Sequence, residues 1–219
     1  MICLDKFNYR DQKMEPKWLE WAKRLQALSQ NGLTYASDPF DRERYEQIRH
    51  IAAEMLADQA GVKIGDVLDL FVREKDYATP KVDVRGAVFK DGRILLVKER
   101  SDDKWTLPGG WADVGESPSE SVEREVWEES GFRVRPLRLA AVYDRGKHPH
   151  KPLMHYHIYK LFFICEITGG RATTSSETEQ VEFFEKNDLP ELSITKILPE
   201  QIEKMFEYYR RDELPAYFD

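Results

Sequence analysis

The chain has 219 residues, of which 41% are hydrophobic and 12% aromatic, and it carries a formal net charge of −7 with a pI near 5.4. This composition supports a sizeable hydrophobic core and excludes a largely disordered chain. The negative balance excludes a general attraction for nucleic acid or anionic membrane, so a polyanionic substrate would need cations bound at the site.

The cysteine content and the length of the apolar runs indicate in which cellular compartment the protein is expected. Cys3 and Cys165 lie far apart and form neither a CxxC pair nor a zinc spacing, which favours a reducing environment. The stretch MICLDKFNYRDQK carries charges where a signal peptide needs an apolar run, and the longest apolar stretch, LFFIC, is too short to span a bilayer. We therefore expect a soluble, cytoplasmic protein with no membrane partner.

Residues 15–75 have the pattern of helices. In KWLEWAKRLQALSQNG the apolar side chains recur at helical spacing, and Asn31-Gly32 supplies a stop signal. Ser37-Asp38-Pro39 is a cap ahead of a second helix, and GDVLDLFVRE predicts a shorter third one. We expect the apolar stripes of the first two helices to be packing faces. They consist of Trp18, Trp21, Leu25 and Leu28 in the first helix and of Tyr45, Ile48, Ala52 and Leu56 in the second.

Strands dominate after about residue 80. VDVRGAVFK and RILLVKE, joined by Asp91-Gly92, predict a β-hairpin, and further strands are expected at RLAAVYDR, HYHIYKLFFICEI and VEFFE. A final helix is predicted from Pro199 through Arg211. The predicted fold class is α+β, with a helical N-terminal domain over residues 1–75 and a mixed α/β domain over 80–219.

The stretch GGWADVGESPSESVEREVWEESGF concentrates six glutamates around one predicted helix. Ser117-Pro118-Ser119-Glu120 forms a capping box and Gly131 a C-terminal stop, so the helix should run from about Pro118 to Ser130. Carboxylates at i, i+3 and i+4 repel one another on a plain solvated face, but they suit hard divalent cations, which prefer oxygen ligands. The sequence therefore predicts a metal site, with Glu125, Glu128 and Glu129 on one face.

The spacing of this stretch matches the signature of the Nudix hydrolases at every defined position. Gly110 is followed after five residues by Glu116 and after seven more by REVWEESGF. The flanking WTLPGGW and VEFFEKNDLP also resemble this family. The N-terminal half is similar to the helical extension of a bacterial subgroup that includes CDP-choline pyrophosphatases and proteins assigned as ADP-ribose pyrophosphatases. The resemblance implies a mixed sheet between helices and hydrolysis of a nucleoside diphosphate linked to a moiety X.

The resemblance also implies roles for residues of the signature. Glu125 and Glu129 would be the principal ligands of Mg²⁺ or Mn²⁺, and Glu128 would bind or bridge a further ion. The Gly110 carbonyl would complete the coordination and Glu116 would lie close to the ions. Arg124 would orient the carboxylates without touching the substrate.

The general base and the substrate contacts are less defined by the sequence. In this family the base is either a signature glutamate, here Glu125, or a residue of a later loop, where Glu177 is the first candidate and Glu179 the second. Arg100 and Arg145, with Lys98, are placed to reach phosphates, and Trp111 could stack on a base. His148, His150, His155 and His157 lack cysteine partners, and we expect them to serve packing or loop hydrogen bonds rather than zinc.

The sequence is compatible with more than one function. The leading one is a metal-dependent pyrophosphohydrolase that splits CDP-choline, ADP-ribose or a similar compound into a nucleoside monophosphate and a phosphorylated X. The alternatives are removal of the 5′ pyrophosphate or trimming of RNA, which the acidic charge does not favour, and a non-catalytic nucleotide sensor. The N-terminal helices are expected to form a homodimer interface.

Overall fold

The computed structural model describes residues 16–219, which separate into two compact units. One comprises residues 16–80 together with Gly146–His157, and the other comprises Lys81–Arg145 together with Ile158–Asp219. No helix in this described part of the chain is long and apolar enough to cross a bilayer.

The first unit is built on three helices, α1 (Lys17–Tyr35), α2 (Pro39–Ala60) and α3 (Ile64–Arg73). The Asp38 side chain caps α2 by accepting from the N–H groups of Phe40 and Asp41, as the sequence predicted, and α2 ends at Gly61 in the left-handed conformation. The helices enclose a core of small and aliphatic side chains with one aromatic: Leu19, Ala22, Ala52, Ala53, Leu56, Ala57, Ala60, Val67 and Phe71.

The predicted end of α1 at Asn31-Gly32 is wrong, because tertiary contacts use both residues inside the helix. The Asn31 side chain accepts a hydrogen bond from the Ala78 N–H at 2.7 Å instead of capping the helix. Gly32 lies against Tyr45 of α2, where an added Cβ would come within 2.3 Å of the ring. The glycine therefore serves the close approach of two helices, and α1 continues to Tyr35.

The packing stripe expected on α1 divides between the core and the surface. Trp18 and Leu25 pack against the core, whereas Trp21 and Leu28 are 52% and 60% exposed. With Tyr35, which is 72% exposed, these two residues recur every seven positions along the helix. Residues at that spacing share one face, so α1 carries an apolar stripe of Trp21, Leu28 and Tyr35 outside the core of its own unit.

The second unit contains a mixed sheet. Its strands are β1 (Lys81–Lys90), β2 (Arg93–Glu99), β3 (Trp105–Thr106), β4 (Phe132–Asp144), β5 (Ile158–Gly170), β6 (Thr178–Phe184) and β7 (Tyr217–Phe218). The order is β3-β2-β1-β5-β4-β7, with β6 paired to β2. The predicted hairpin of β1 and β2 is confirmed, and β1 runs parallel to β5 over eight residue pairs. His155 and His157 precede β5, so their predicted place on this strand is wrong.

Helices cover both faces of this sheet, which confirms the α+β fold expected from the sequence. On one face Val122 and Val126 of α4 (Pro118–Ser130) pack against Val84, Val88 and Phe163. The opposite face is covered by Ile202, Met205 and Phe206 of α5 (Pro199–Arg210). The alternation of side chains along β1 and β5 supplies one apolar set to each helix.

Replacing Gly32 by alanine should destabilise the first unit even though alanine favours helices by about 1 kcal/mol. The added methyl would push the Tyr45 ring away, and overpacking of this kind costs about 1–3 kcal/mol. Urea unfolding followed by circular dichroism would measure the change. The control is Gly65→Ala in α3, where nothing lies within 4 Å of the added atom and a small gain is expected. Equal effects of the two substitutions would contradict the close helix contact.

Candidate active site

Helix α4 is fixed at both ends by the local signals of its own sequence. The Ser117 hydroxyl accepts from the Glu120 N–H, and the Glu120 carboxylate accepts from the Ser117 N–H, which completes the predicted capping box. Gly131 ends the helix with φ +73°, a left-handed conformation that favours glycine. The predicted bounds, Pro118 to Ser130, are confirmed.

Arg124 gathers carboxylates from both ends of the signature. Its Nε donates to both oxygens of Glu116, at 2.9 and 3.1 Å. Its Nη1 donates to Glu125 at 2.8 Å and to Glu128 at 3.1 Å, and Nη2 faces Asp113 at 3.3 Å. The guanidinium therefore brings three of the four predicted acidic ligands to one place, and like-charge repulsion among them is offset by hydrogen bonds to a cation.

Glu129 is held by the main chain of the Gly109-Gly110 loop rather than by Arg124. The Gly109 N–H donates to Glu129 Oε2 at 2.9 Å, and the Glu129 side chain is buried. Gly109 has φ +142°, and an added Cβ would lie 2.1 Å from the Val84 carbonyl oxygen, so no side chain fits there. At Gly110 an added Cβ would lie 2.7 Å from Glu125 Oε2, which places this main chain directly against the carboxylate.

The environments of these carboxylates shift their pKa values in opposite directions. Burial raises the pKa of Glu129 to about 8, with Arg85 and the Gly109 N–H acting against it. Burial also raises the pKa of Glu125, against the effect of Arg124. Hydrogen bonds from Arg124 and Ser121 lower the pKa of Glu116. The inner part of the site thus disfavours uncompensated negative charge, which a bound cation would relieve.

The donor set suits a hard cation, although Arg124 now occupies the space between the carboxylates. Glutamate oxygens and a main-chain carbonyl are the ligands that Mg²⁺ prefers. Gly110 O accepts from the Val84 N–H at 2.8 Å and keeps a second lone pair. Within residues 16–219, no three acidic, histidine or cysteine side chains already converge on one point as a metal would require. Binding of an ion would therefore need carboxylates to turn from Arg124 toward it.

The loop that carries Glu177 is attached to the C-terminal end of α4. The Thr178 hydroxyl donates to the Glu129 carbonyl at 2.7 Å, and the N–H groups of Arg171 and Thr173 bond the carbonyls of Gly131 and Ser130. Glu177 itself is exposed, and its carbonyl accepts from the Arg100 N–H at 2.9 Å. Two predicted residues, Glu177 and Arg100, are therefore neighbours next to the acidic helix.

Three other predicted residues lie in different surroundings. Glu179 pairs with Lys98 at 2.7 Å, which occupies both side chains. Trp111 is 44% exposed, and its carbonyl accepts from Arg124. Arg145 follows β4 and is buried, with Nη2 donating to the Thr195 carbonyl. Exposed Trp111 and Arg100 can meet a ligand directly, whereas Arg145 is enclosed by its surroundings.

Sequence reasoning missed a buried group of charges under this site. Asp83 accepts from Arg85 at 2.8 and 2.7 Å and from Lys160 at 2.8 Å. Burial by itself would raise the pKa of Asp83, but Arg85 and Lys160 hold it well below its usual range. The signal was the alternation in VDVR, because charged residues in a strand that is covered on both faces must find partners inside.

Comparisons with known proteins agree with the fold and add to the description of both units. Residues 79–205 match the family described as "NUDIX domain", and residues 16–71 match "UDP-X-like, N-terminal oligomerisation domain". The chain is 45% identical over 207 residues to "Putative ADP-ribose pyrophosphatase YjhB" of Bacillus subtilis (strain 168), which covers 94% of this chain and 99% of the relative.

Two crystal structures resemble the chain at similar levels. A UDP-X diphosphatase is 35% identical with a TM-score of 0.60, covering 93% of this chain and 98% of the other. An ADP-ribose pyrophosphatase from Streptococcus suis 89-1591 is 38% identical with a TM-score of 0.59, covering 64% of this chain and 100% of the other. The first likeness extends over nearly the whole chain.

The buried Glu129 should make the metal-free protein less stable as the pH rises. Its pKa of about 8 in the folded protein exceeds the ordinary glutamate value of 4.5, so its contribution to stability is full below about pH 4.5 and is lost as the pH rises through 8. Glu129→Gln should abolish this dependence. We expect the stability difference between wild type and variant to change by at least ~1 kcal/mol between about pH 5 and about pH 8. Urea unfolding in EDTA would measure it.

The control for this experiment is Glu123→Gln, an exposed glutamate of the same helix. Its unfolding free energy should follow that of the wild type across the pH range. Parallel curves for wild type and Glu129→Gln would contradict the raised pKa.

Proposed function

Because the chain belongs to the Nudix hydrolase family, we propose that it hydrolyses, with a divalent metal, the pyrophosphate bond of a nucleoside diphosphate derivative of the ADP-ribose or CDP-choline type. The products would be a nucleoside monophosphate and a phosphorylated X. The observation that carries the proposal is the arrangement around Arg124, which unites Glu116, Glu125 and Glu128 beside the buried Glu129. The names of relatives favour ADP-ribose and UDP-linked compounds as the first substrates to try.

The proposed ligands are Glu125 and Glu129, with Glu128, Glu116 and the Gly110 carbonyl completing the set. Mg²⁺ or Mn²⁺ held there would offset the charge of the pyrophosphate and lower the pKa of bound water. Arg124, which bonds Glu116, Glu125 and Glu128, would orient these carboxylates for the ion without touching the substrate. The family signature does not distinguish Mg²⁺ from Mn²⁺, since both accept this oxygen donor set.

The proton of the attacking water would pass to a carboxylate, and Glu125 and Glu177 are the two candidates for this general base. Glu125 is half-buried with a raised pKa, which suits a general base, but it is also a proposed ligand. Glu177 is exposed on a loop fixed to α4 through Thr178, so it can approach from the solvent side. Glu179 is the weaker candidate because Lys98 already neutralises it. We therefore propose either Glu125 or Glu177 as the general base.

For the substrate, we propose contacts from Arg100 and Trp111, which are exposed near the acidic helix. A guanidinium suits phosphate oxygens and an indole suits a nucleobase. Arg145, the third sequence-based candidate, is buried, and its position favours support of the site over direct contact. The exposed carboxylates around the site do not favour RNA as a substrate.

We also propose a homodimer formed through α1. Trp21, Leu28 and Tyr35 form an apolar stripe at heptad spacing, which suits pairing with a second helix. The family description of residues 16–71 as an oligomerisation domain supports this assignment.

Incubation with Mg²⁺ and a substrate panel, with products resolved by mass spectrometry, tests the activity. The panel is ADP-ribose, CDP-choline, a UDP-sugar, NADH and 5′-triphosphorylated RNA. Glu128→Gln should lower turnover of the preferred compound by at least ~100-fold, more than loss of an outer-shell partner. Glu123→Gln on the same helix is the matched control and should retain activity. Turnover that is indifferent to Glu128 or to EDTA would reject the metal site.

The dimer is tested by Leu28→Glu with size-exclusion chromatography and light scattering. A carboxylate buried without a partner in an interface is costly, so the variant should have the mass of a monomer where the wild type has that of a dimer. Leu137→Glu, at a comparably exposed leucine of β4, is the control and should remain dimeric. A monomeric wild type would remove the proposal.

A further inference from the structure

The buried charges of β1 and β5 form a group with one acid and two bases. Asp83 and Arg85 are two positions apart on β1, and Lys160 is opposite Asp83 in the parallel pairing with β5. The exposed fractions of the three residues are 6%, 3% and 2%. Lys160 donates to Asp83 Oδ1 at 2.8 Å, and Arg85 donates to both carboxylate oxygens. Burial and the neighbouring Arg85 lower the pKa of Lys160 to about 7, so Arg85 is the base of this group that keeps its charge over the whole neutral range.

Asp83 does not need both bases for its own neutralisation. A buried charge is costly unless it is paired, and the contact with Lys160 already gives the Asp83 carboxylate one basic partner. A neutral strand pair of Asp83 and Lys160 would be the simpler arrangement. Arg85 bonds Asp83 through Nε and Nη2, which leaves Nη1 to a second partner.

That second partner is the loop that holds the acidic site. Arg85 Nη1 donates to the Leu107 carbonyl at 3.1 Å. The next residues of the loop also bond to β1, with the Gly86 N–H donating to the Pro108 carbonyl at 2.9 Å. Gly109 then donates its N–H to Glu129. Arg85 thus bonds the first residue of the segment Leu107–Gly110, and Gly109 of the same segment bonds the proposed metal ligand Glu129.

The charges around Arg85 also connect it with the acidic site. The positive charge of Arg85 acts on Glu129 and Glu125, favouring their ionised forms, and the acids that face Arg85 are Asp83, Glu129 and Glu99. Glu99 in turn pairs with Lys196. The guanidinium therefore stands between a structural acid on one side and the acids of the site on the other.

We propose that Arg85 is a positioning residue of the active site, which fixes the segment Leu107–Gly110 and through it the Glu129 carboxylate. The planar fork of arginine makes this position specific, because one guanidinium must bond two oxygens of Asp83 and the Leu107 carbonyl at once. This inference rests on the function proposed for the carboxylate site. It adds a residue that lies outside the glutamate-rich stretch Gly109–Phe132.

The test compares Mn²⁺ binding and steady-state kinetics of Arg85→Met with those of the wild type. Mn²⁺ affinity is measured by calorimetry and by the electron paramagnetic resonance signal of the free ion. We expect Mn²⁺ affinity to fall about 10-fold and kcat to fall about 10- to 100-fold, the range known for outer-shell partners of metal ligands. KM for the preferred substrate should change less than about 3-fold, since Arg85 does not contact it.

Two further variants separate positioning from general stability. Lys160→Met leaves Asp83 paired with Arg85 and the Leu107 contact intact, so Mn²⁺ affinity and kcat should remain near wild type even if the melting temperature falls. Arg85→Lys keeps the charge but loses the planar fork that bonds both Asp83 oxygens and the Leu107 carbonyl from three nitrogens, and it should give an intermediate loss. If Arg85→Met does not fold, Arg85→Lys decides the matter.

Wild-type Mn²⁺ affinity and kcat in either Arg85 variant would overturn the proposal, as would equal losses in Lys160→Met. A wild-type protein that binds Mn²⁺ and turns over substrate, with unaffected Arg85 variants, would remove only this inference. A wild-type protein that neither binds Mn²⁺ nor hydrolyses any member of the panel would remove the proposed function along with it.

Discussion

The mutual repulsion of carboxylates on α4 is the constraint around which the second unit is organised. Arg124 offsets it on the exposed side by bonding Glu116, Glu125 and Glu128, and the Gly109 N–H and the charge of Arg85 offset it on the buried side. Each compensation needs support from elsewhere: the capping box orients the helix, β1 fixes the glycine loop, and Asp83 fixes Arg85. A set of acids that would destabilise an isolated helix is thereby kept ready for cations.

The two units solve different packing problems. In the helical unit, α1 and α2 approach closely at Gly32, and the large apolar side chains of Trp21 and Leu28 lie at the surface. In the sheet unit, both faces of β1 and β5 are covered by helices, and polar residues inside those strands must be paired within the protein. The first arrangement favours association with another chain, and the second favours an internal network of charges.

The sequence was most informative where the determinants are local. The bounds of α4, the caps at Ser117 and Asp38, and the gathering of carboxylates by Arg124 all depend on residues close together in the chain. It was least informative where contacts join distant segments. Asp83 and Lys160 are 77 positions apart, and the pairing of Lys98 with Glu179 depends on the register of β2 with β6. The end of α1 was predicted wrongly for the same reason, since Gly32 packs against Tyr45 of another helix.

The attachment of the Glu177 loop to α4 has a consequence for how such enzymes diverge. Two of its anchors, the N–H groups of Arg171 and Thr173, are main-chain atoms, so they persist whichever side chains those positions carry. Thr178 contributes through its side chain, and it lies at the buried end of the loop. Substitutions at the exposed positions 171–174 and 176 can therefore accumulate without loosening the acidic helix. The sequence of this loop can thus vary while the carboxylates of α4 keep their positions.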